Sequence, residues 1–391
     1  MPRVVMLTTC LAPGGAETQV FRLSLELSRR GWEPAVVSLL PPTSYVNALE
    51  AAGVAVFSLG MRPGRPDPRG LARLAAVLRR LRPQVLHSHM FHANLLARIA
   101  RLFCPVPVVI STLHSAAESP SGADHRFLWS ANLLPKPAAY PGTRWRDWLY
   151  GLTDPMADAV VAVSRAVADR HAACGAVRPG KLRVIPNGVD TAVFHPDPER
   201  RERVRREFGL QSEFVWLAAG RLMWKKDYPT LLRAFAGLRG ATLLIAGVGP
   251  QEAELKGLAA ELGIDARFLG RVDDMPALMN AADALALSSV VEGLPVALLE
   301  AASSGLPAVA ADAGGVREIL GGGEAGFVVP PGNPAALAAA MAKLAALPAD
   351  ARERMSRAAR ATAVTRFDLS VVVSQWEAAY RDMLENASQW T

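Results

Sequence analysis

Cysteine is scarce: Cys10, Cys104 and Cys174 are the only three in 391 residues, and no two of them have C-x-x-C spacing. That excludes a zinc ribbon and a disulfide framework, and it suits a reducing compartment. No apolar run approaches the roughly 20 residues needed to span a bilayer. The run near the amino terminus is too short for a signal-peptide core and reads as a first strand entering a glycine turn, so a cytoplasmic protein is expected. Lysine is scarce too, at six of 43 basic residues, so the formal charge of +7 comes from arginine. No basic run interleaves with aromatics, which argues against nucleic acid as a partner. An anionic substrate fits the charge, as does peripheral contact with the inner face of a membrane. Low-complexity segments and repeats of solenoid length are absent as well.

What is present has the make-up of an enzyme with two cores: 51% of residues are apolar, 20% are charged, and the length suits two domains of about 190 residues each. Short apolar runs alternate with helical stretches, the pattern of an α/β doubly wound sheet. Strands are expected at 3–8, 34–39, 54–58, 84–87, 106–112, 159–163 and 182–185. Turn chemistry at Pro186-Asn187-Gly188-Val189-Asp190 then marks a boundary. The alternation restarts at 214–218 and continues at 242–246, 267–269, 284–287, 306–310 and 327–329. The expected domains are 1–186 and 187–368. A last helix begins after Asp368, with Val372, Val373, Trp376, Tyr380 and Met383 as a core stripe.

The chemistry is expected in 288–315. A buried strand ends there, and Gly293, Leu294, Pro295 and Val296 open a helix whose free amides and dipole make an anion site at the carboxyl end of the strand. Glu292 stands just before the helix and Glu300 eight residues on, about two turns at 3.6 residues per turn. One carboxylate can reach a ribose and the other a sugar. Either Glu alone would read as an ordinary helix-end or surface acid. Arg221 and Lys226, five residues apart after the strand 214–218, can hold a pyrophosphate. Gly14 and Gly15 lie at a strand-to-helix junction, where a ligand can approach the backbone or a plain tight turn can form.

Histidines gather near strand ends. His87, His89 and His92 are expected to follow a strand ending near Leu86, and His114 a strand ending near Thr112. No Asp, Glu or Cys cluster joins them, so no metal site is expected. His114 is read as a neutral or charged donor at its strand's carboxyl end, facing the crevice, against the plainer alternative of a hydrogen-bonded loop histidine. The stretch 118–150 breaks the alternation and mixes Trp129, Trp145 and Trp148 with Arg126, Lys136, Arg144 and Arg146. It suits a membrane interface or a lipid-linked acceptor, or equally a structured loop with its rings packed on the domain.

These residues together resemble the large group-one (family four) type of retaining GT-B glycosyltransferases. The likeness runs through GGAE at 14–17, STLH at 111–114, VIPNGVD at 184–190, GRLMWKKDYPTLLRAF at 220–235, LLIAGVGP at 243–250, FLGRVDD at 268–274 and EGLPVALLEAASSGLPAVA at 292–310. The resemblance implies two Rossmann-like domains facing a central cleft, an acceptor-side domain and a nucleotide-sugar-binding domain, with the helix 369–391 returning to the first. It also implies roles. Gly15 approaches the donor phosphates and His114 the donor sugar. Arg221 and Lys226 bind the pyrophosphate, Val272 meets the base through its backbone, Glu292 binds sugar hydroxyls and Glu300 the ribose.

The expected activity moves a sugar from a UDP- or GDP-sugar to a hydroxyl of a glycan or lipid-linked acceptor with an α linkage, in cell-surface polysaccharide synthesis. No cofactor or metal is expected, in keeping with the lack of a D-x-D triplet. A nucleotide-sugar epimerase on the same plan is the alternative, and a two-domain binding protein without catalysis is a more distant one.

Overall fold

The computed structural model describes residues 2–63, 67–115, 144–210 and 213–388. It divides into two compact units, Met1–Ile185 with Trp376–Thr391, and Pro186–Gln375.

The first unit holds seven parallel strands: β1 (Arg3–Thr8), β2 (Glu33–Ser38), β3 (Ala55–Ser58), β4 (Val85–His89), β5 (Val108–Leu113), β6 (Ala159–Ala162) and β7 (Leu182–Val184). Their order across the sheet is β3-β2-β1-β4-β5-β6-β7. Val4 to Leu7 of β1 are at most 1% exposed, as expected of a central parallel strand covered on both faces by helices. The helix Pro68–Leu81 shows why the cover holds. Asp67 caps it by accepting from the Arg69 amide, Leu74 and Leu78 are buried in the core with Val5, Leu7 and Leu86, and its arginines face out.

β4 does not stop near Leu86 but runs to His89, so His87 and His89 are strand residues rather than loop residues. Buried polar residues interrupt an apolar run in sequence, yet they sit in this strand because both ring nitrogens of His87 and Nδ1 of His89 find partners inside the protein. Of the stretch 118–150, residues 118–143, with Arg126, Trp129 and Lys136, lie outside the described residues. The remainder belongs to the helix Arg144–Thr153, where Trp145 and Trp148 are 52% and 64% exposed and the Trp145 ring meets Phe91 edge-on with centres 5.7 Å apart. Arg146 is buried on the same helix, with its guanidinium 4.9 Å from the Phe91 ring centre.

The second unit holds six parallel strands: β8 (Phe214–Ala219), β9 (Ala241–Ala246), β10 (Ala266–Gly270), β11 (Ala284–Leu287), β12 (Ala308–Ala311) and β13 (Gly326–Val329). The order is β10-β9-β8-β11-β12-β13. Trp216, Leu243 and Ile245 from the sheet meet Leu231, Leu232 and Phe235 from the helix Tyr228–Phe235, and Leu337, Met341 and Leu344 from Pro334–Ala345. The arginine-rich helix Pro198–Glu207 is tied down by specific contacts. Arg201 and Arg205 both pair with Asp283, and they donate to the carbonyls of Ala282 and Ala281, at 2.6 and 3.0 Å, where the helix Met275–Ala281 ends. The ends of this unit are tied together: the Val189 amide donates to Phe367 O at 2.8 Å, and the Leu369 amide donates to Val189 O at 2.9 Å.

The last helix, Leu369–Ser388, carries the anticipated stripe of Val372, Val373, Trp376, Tyr380 and Met383, all buried. From Trp376 onward it belongs to the first unit. No described helix is long and apolar enough to cross a membrane.

Candidate functional site

In the second unit, successive strands step one way from β8 to β10 and the other way from β11 to β13. The reversal falls between neighbouring β8 and β11, and ligands of open α/β sheets bind beyond the strand ends at such a point. The loop after β8 runs through Arg221 and the turn Trp224–Lys226, and the loop after β11 runs through Ser288 to Pro295. Three bonds staple them. Ser288 Oγ donates to Lys226 O at 2.7 Å, the Val290 amide donates to Lys225 O at 2.9 Å, and Lys226 Nζ meets Glu292 Oε1 at 2.6 Å. The last is an ion pair with both side chains largely buried, at 20% and 12% exposure.

Close backbone contacts fix this arrangement. A Cβ on Gly314, whose φ is +56°, would lie 2.5 Å from Glu292 O and 2.6 Å from Gly293 O. A Cβ on Gly247 would lie 1.9 Å from Gly220 O. The Gly315 amide donates to Gly293 O at 2.7 Å, and the buried Asn187 donates through Nδ2 to Leu294 O at 2.9 Å. The 293–295 turn is therefore held from both sides, and it aims the start of the helix Val296–Ser303, which has no side-chain cap. Uncapped first-turn amides at a strand end can receive an anion. Tyr228, behind the β8 loop, donates its hydroxyl to Gly220 O at 3.0 Å. Burial, and then the charge of Glu292, hold that phenol far above its ordinary range, so it stays protonated.

The structure thus brings Lys226, Glu292, Gly293, Leu294, Pro295 and Val296 together. Arg221 is exposed just past β8, Glu300 is partly exposed on the helix Val296–Ser303, and Val272 follows edge strand β10. Asn187, Ser288, Tyr228 and Gly314 support the site but were not singled out from sequence. Asn187 read only as turn chemistry, and the others are common residue types whose contacts, eight residues off for Tyr228 and further for Ser288 and Gly314, follow no motif spacing.

In the first unit the order reverses between β1 and β4. Gly14 is the N-cap of the helix Gly15–Arg29, which also lacks a side-chain cap. A Cβ on Gly14 would lie 2.4 Å from Glu17 Oε2, and Cys10 Sγ donates to Glu17 Oε1 at 2.9 Å.

At the β4 and β5 ends a histidine network forms. His87 joins Tyr380 Oη through Nδ1 and Thr112 Oγ1 through Nε2, both at 2.7 Å. His89 Nδ1 lies 3.0 Å from His114 Nε2. Burial pushes His114 down to about 4. It pushes His87 and His89 well below the usual imidazole range, with the neighbouring histidines adding to the effect. All three rings are neutral at pH 7.

Among the described residues, one group has the side chains to ligate a metal: Asp147, His171 and Cys174, with ligand atoms within 4.8 Å of one another. The Arg170 guanidinium already fills that role. Its Nη1 and Nη2 donate to the two Asp147 oxygens at 2.6 and 2.8 Å, and Nη1 lies 3.3 Å from Cys174 Sγ. A bidentate Arg–carboxylate fork leaves the site without the net negative charge that attracts a cation.

The family model "Glycosyl transferases group 1" matches residues 200–362, and "Glycosyltransferase Family 4" matches residues 13–193. A D-inositol 3-phosphate glycosyltransferase of Saccharomonospora viridis is 30% identical over 380 residues, covering 89% of this chain and 84% of the relative. The chain belongs to the group 1 glycosyltransferases. A GDP-mannose-dependent alpha-(1-6)-phosphatidylinositol monomannoside mannosyltransferase of Mycolicibacterium smegmatis is 35% identical over 189 residues, 44% of this chain. The match spans about half of that relative's length, 49%. Among solved structures, HepE of Anabaena in complex with UDP and glucose has a TM-score of 0.82 at 22% identity, covering 98% of this chain and all of that one. Sucrose-phosphate synthase of Thermosynechococcus elongatus also scores 0.82, at 19% identity, with 99% and 100% covered. This group 1 glycosyltransferase therefore has the GT-B fold, with two Rossmann-like units of seven and six parallel strands.

Proposed function

We propose that this chain is a retaining glycosyltransferase that moves a sugar from a UDP- or GDP-sugar to a hydroxyl of a glycan or lipid-linked acceptor, with an α linkage. The observation that carries the reading is the Lys226–Glu292 pair, held beside the uncapped start of the helix Val296–Ser303 at the switch point of the second unit. The diphosphate of the donor is assigned to Lys226, Arg221 and the amides of 293–296, the ribose to Glu300, the base to the backbone at Val272, and the sugar hydroxyls to Glu292. Gly14 and Gly15 are assigned to the donor phosphates and His114 to the sugar. Residues 1–186 make the acceptor-side domain, and 187–368 the nucleotide-sugar domain.

Chemically, the bond from the anomeric carbon to the diphosphate oxygen breaks, and the acceptor oxygen bonds to the same face of that carbon. The acceptor proton passes to the departing diphosphate. Preorganised positive charge and amides stabilise the leaving group, a contribution of this kind being commonly the largest in catalysis. Arg221 and Lys226 take the place a divalent metal holds in other transferases, so activity is expected to survive a chelator.

The setting proposed is polysaccharide synthesis at the cytoplasmic face of a membrane. Exposed Trp145 and Trp148 and the positive net charge support it. Unchanged vesicle binding when both tryptophans are replaced by Ala would remove the membrane part.

The first test is a thermal-shift panel with UDP, GDP, ADP and their sugar nucleotides on the natural protein and Glu300→Ala. A ligand that binds only the folded protein raises its melting temperature. A shift selective for one base and reduced in the variant supports the donor site. No shift with any nucleotide would refute it.

A further inference from the structure

His89 is 2% exposed, its Nδ1 lies 3.0 Å from His114 Nε2, and its own Nε2 is buried with no hydrogen-bond partner among the described residues. Two neutral imidazoles share one proton across such a contact, so two arrangements exist. If His114 donates from Nε2, then His89 accepts at Nδ1 and carries its proton on Nε2, leaving an N–H buried without an acceptor. If His89 donates from Nδ1, the buried orphan is only a lone pair. Orphaned N–H groups are rarer in folded proteins than under-used acceptors.

We infer that His89 is a positioning residue that donates its Nδ1–H to His114 Nε2 and so fixes His114 as the Nδ1–H tautomer. His114 then turns an N–H donor, and not a lone pair, toward its substrate. This inference rests on the assignment of His114 to the donor sugar, and it adds the identity of the group presented. A neutral N–H can hold a sugar hydroxyl oxygen without placing positive charge beside an anomeric carbon that itself becomes cationic in the transition state. Desolvation keeps both rings neutral near pH 7, as that role requires. His87, tilted against His89 with ring centres 4.0 Å apart, is engaged through both of its nitrogens and is not the source of this proton.

The test is a long-range proton–nitrogen correlation spectrum of the natural protein at pH 7 with its seven histidines labelled with ¹⁵N. His114 and His89 are assigned by the signals lost in His114→Gln and His89→Asn. The expected spectrum has protonated Nδ1 and bare Nε2 on both rings. A protonated Nε2 on His114 would overturn the inference, whatever the enzyme's activity.

Kinetics give a second arm, using hydrolysis of whichever of UDP-glucose and GDP-mannose raises the melting temperature. His89→Asn, whose amide N–H stands where Nδ1–H stood, is expected to stay within about threefold of the natural kcat. His89→Leu is expected to lose about tenfold in kcat with an unchanged Kd for the free nucleoside diphosphate, the scale of one misaligned hydrogen bond. Equal kcat for Leu and Asn variants of the same melting temperature would overturn the positioning role. If instead His114→Ala leaves kcat intact while the spectrum shows the expected tautomer, the sugar assignment of His114 falls and the tautomer stands.

Discussion

Lys226 Nζ and Glu292 Oε1 lie 2.6 Å apart although 66 residues separate them in the chain. The pair joins the loops that follow β8 and β11, the two strands between which the sheet order reverses. It makes the loops one electrostatic unit, in which the carboxylate holds the ammonium in place. In the proposed reaction an arriving diphosphate takes part of that ammonium's attention and frees Glu292 to meet sugar hydroxyls.

Removing one partner and removing both should therefore differ. Lys226→Ala is expected to lower transfer by roughly 10²- to 10³-fold, the usual effect of deleting one preorganised charge at a leaving group. It also leaves Glu292 partly buried without its cation, which costs about 1 to 3 kcal/mol of stability. Lys226→Ala with Glu292→Gln should regain part of that stability and none of the activity. Urea unfolding and initial rates on the two single variants and the double variant measure this. A double variant no more stable than Lys226→Ala would show that the pair is not coupled.

Gly314 is the next point of sensitivity, because its left-handed backbone and its approach to Glu292 O both require the missing Cβ. Gly314→Ala adds strain at positive φ to a clash with backbone that cannot swing away. About 2 to 4 kcal/mol is expected. The loop carrying Glu292 and Gly293 must shift, so nucleotide binding should weaken along with stability. Gly257→Ala is the control, since a Cβ there meets nothing within 4 Å. Equal melting temperatures for the two variants would contradict the argument.

Much of the architecture was legible because parallel strands are buried on both faces and therefore appear as short apolar runs such as VVML in β1 and LLIA in β9. The candidate residues at the ends of those runs could be named one by one. That Lys226 and Glu292 touch could not, since their contact depends on β8 lying next to β11, a fact of strand order and not of spacing. His87 and His89 misled for the opposite reason. They are polar residues inside a strand, and their partners, Thr112, Tyr380 and His114, come from 25 to 293 residues away. The Ala-rich helix Pro334–Ala345 gave little warning either, because a run of alanines shows no clear apolar face. Asn187 was seen as a turn former, and nothing local announces that its amide reaches Leu294.

That Asn187 contact can be tested alone. Its Nδ2 donor is buried and satisfies Leu294 O in the turn that aims the helix Val296–Ser303. Asn187→Ala orphans a buried carbonyl and should cost about 1 to 3 kcal/mol. Loss of donor affinity is expected without any change in charge, so the decrease should be the same at low and high salt. A loss that disappears at high salt would point to electrostatics rather than to positioning of the turn.

Acid sensitivity follows from the neutral histidines. His114 and His171 are each pushed by burial from an ordinary value of 6.5 down to about 4, with Arg170 adding to the effect on His171. Between those pH values the unfolded chain binds protons that the folded chain refuses, so stability rises with pH across the window and falls as pH drops through it. The contribution is fully present above pH 6.5 and fully lost below about 4, on the order of 3 kcal/mol for each ring at 1.36 kcal/mol per unit. Burial of His87 and His89 acts in the same direction. Glu377 acts in a lower window: burial opposes its ionisation, but hydrogen bonds from Trp32 and Arg30 win and hold it below the usual carboxylate value, so its share is lost only on further acidification. Unfolding free energy measured in urea from pH 8 to pH 4 should be nearly flat above pH 7 and then decline steeply. His114→Gln should have a shallower decline by about one proton's worth of slope. A flat profile down to pH 5 would mean that these rings protonate without cost in the folded protein, and with that the neutral donor assigned to His114 would lose its physical basis.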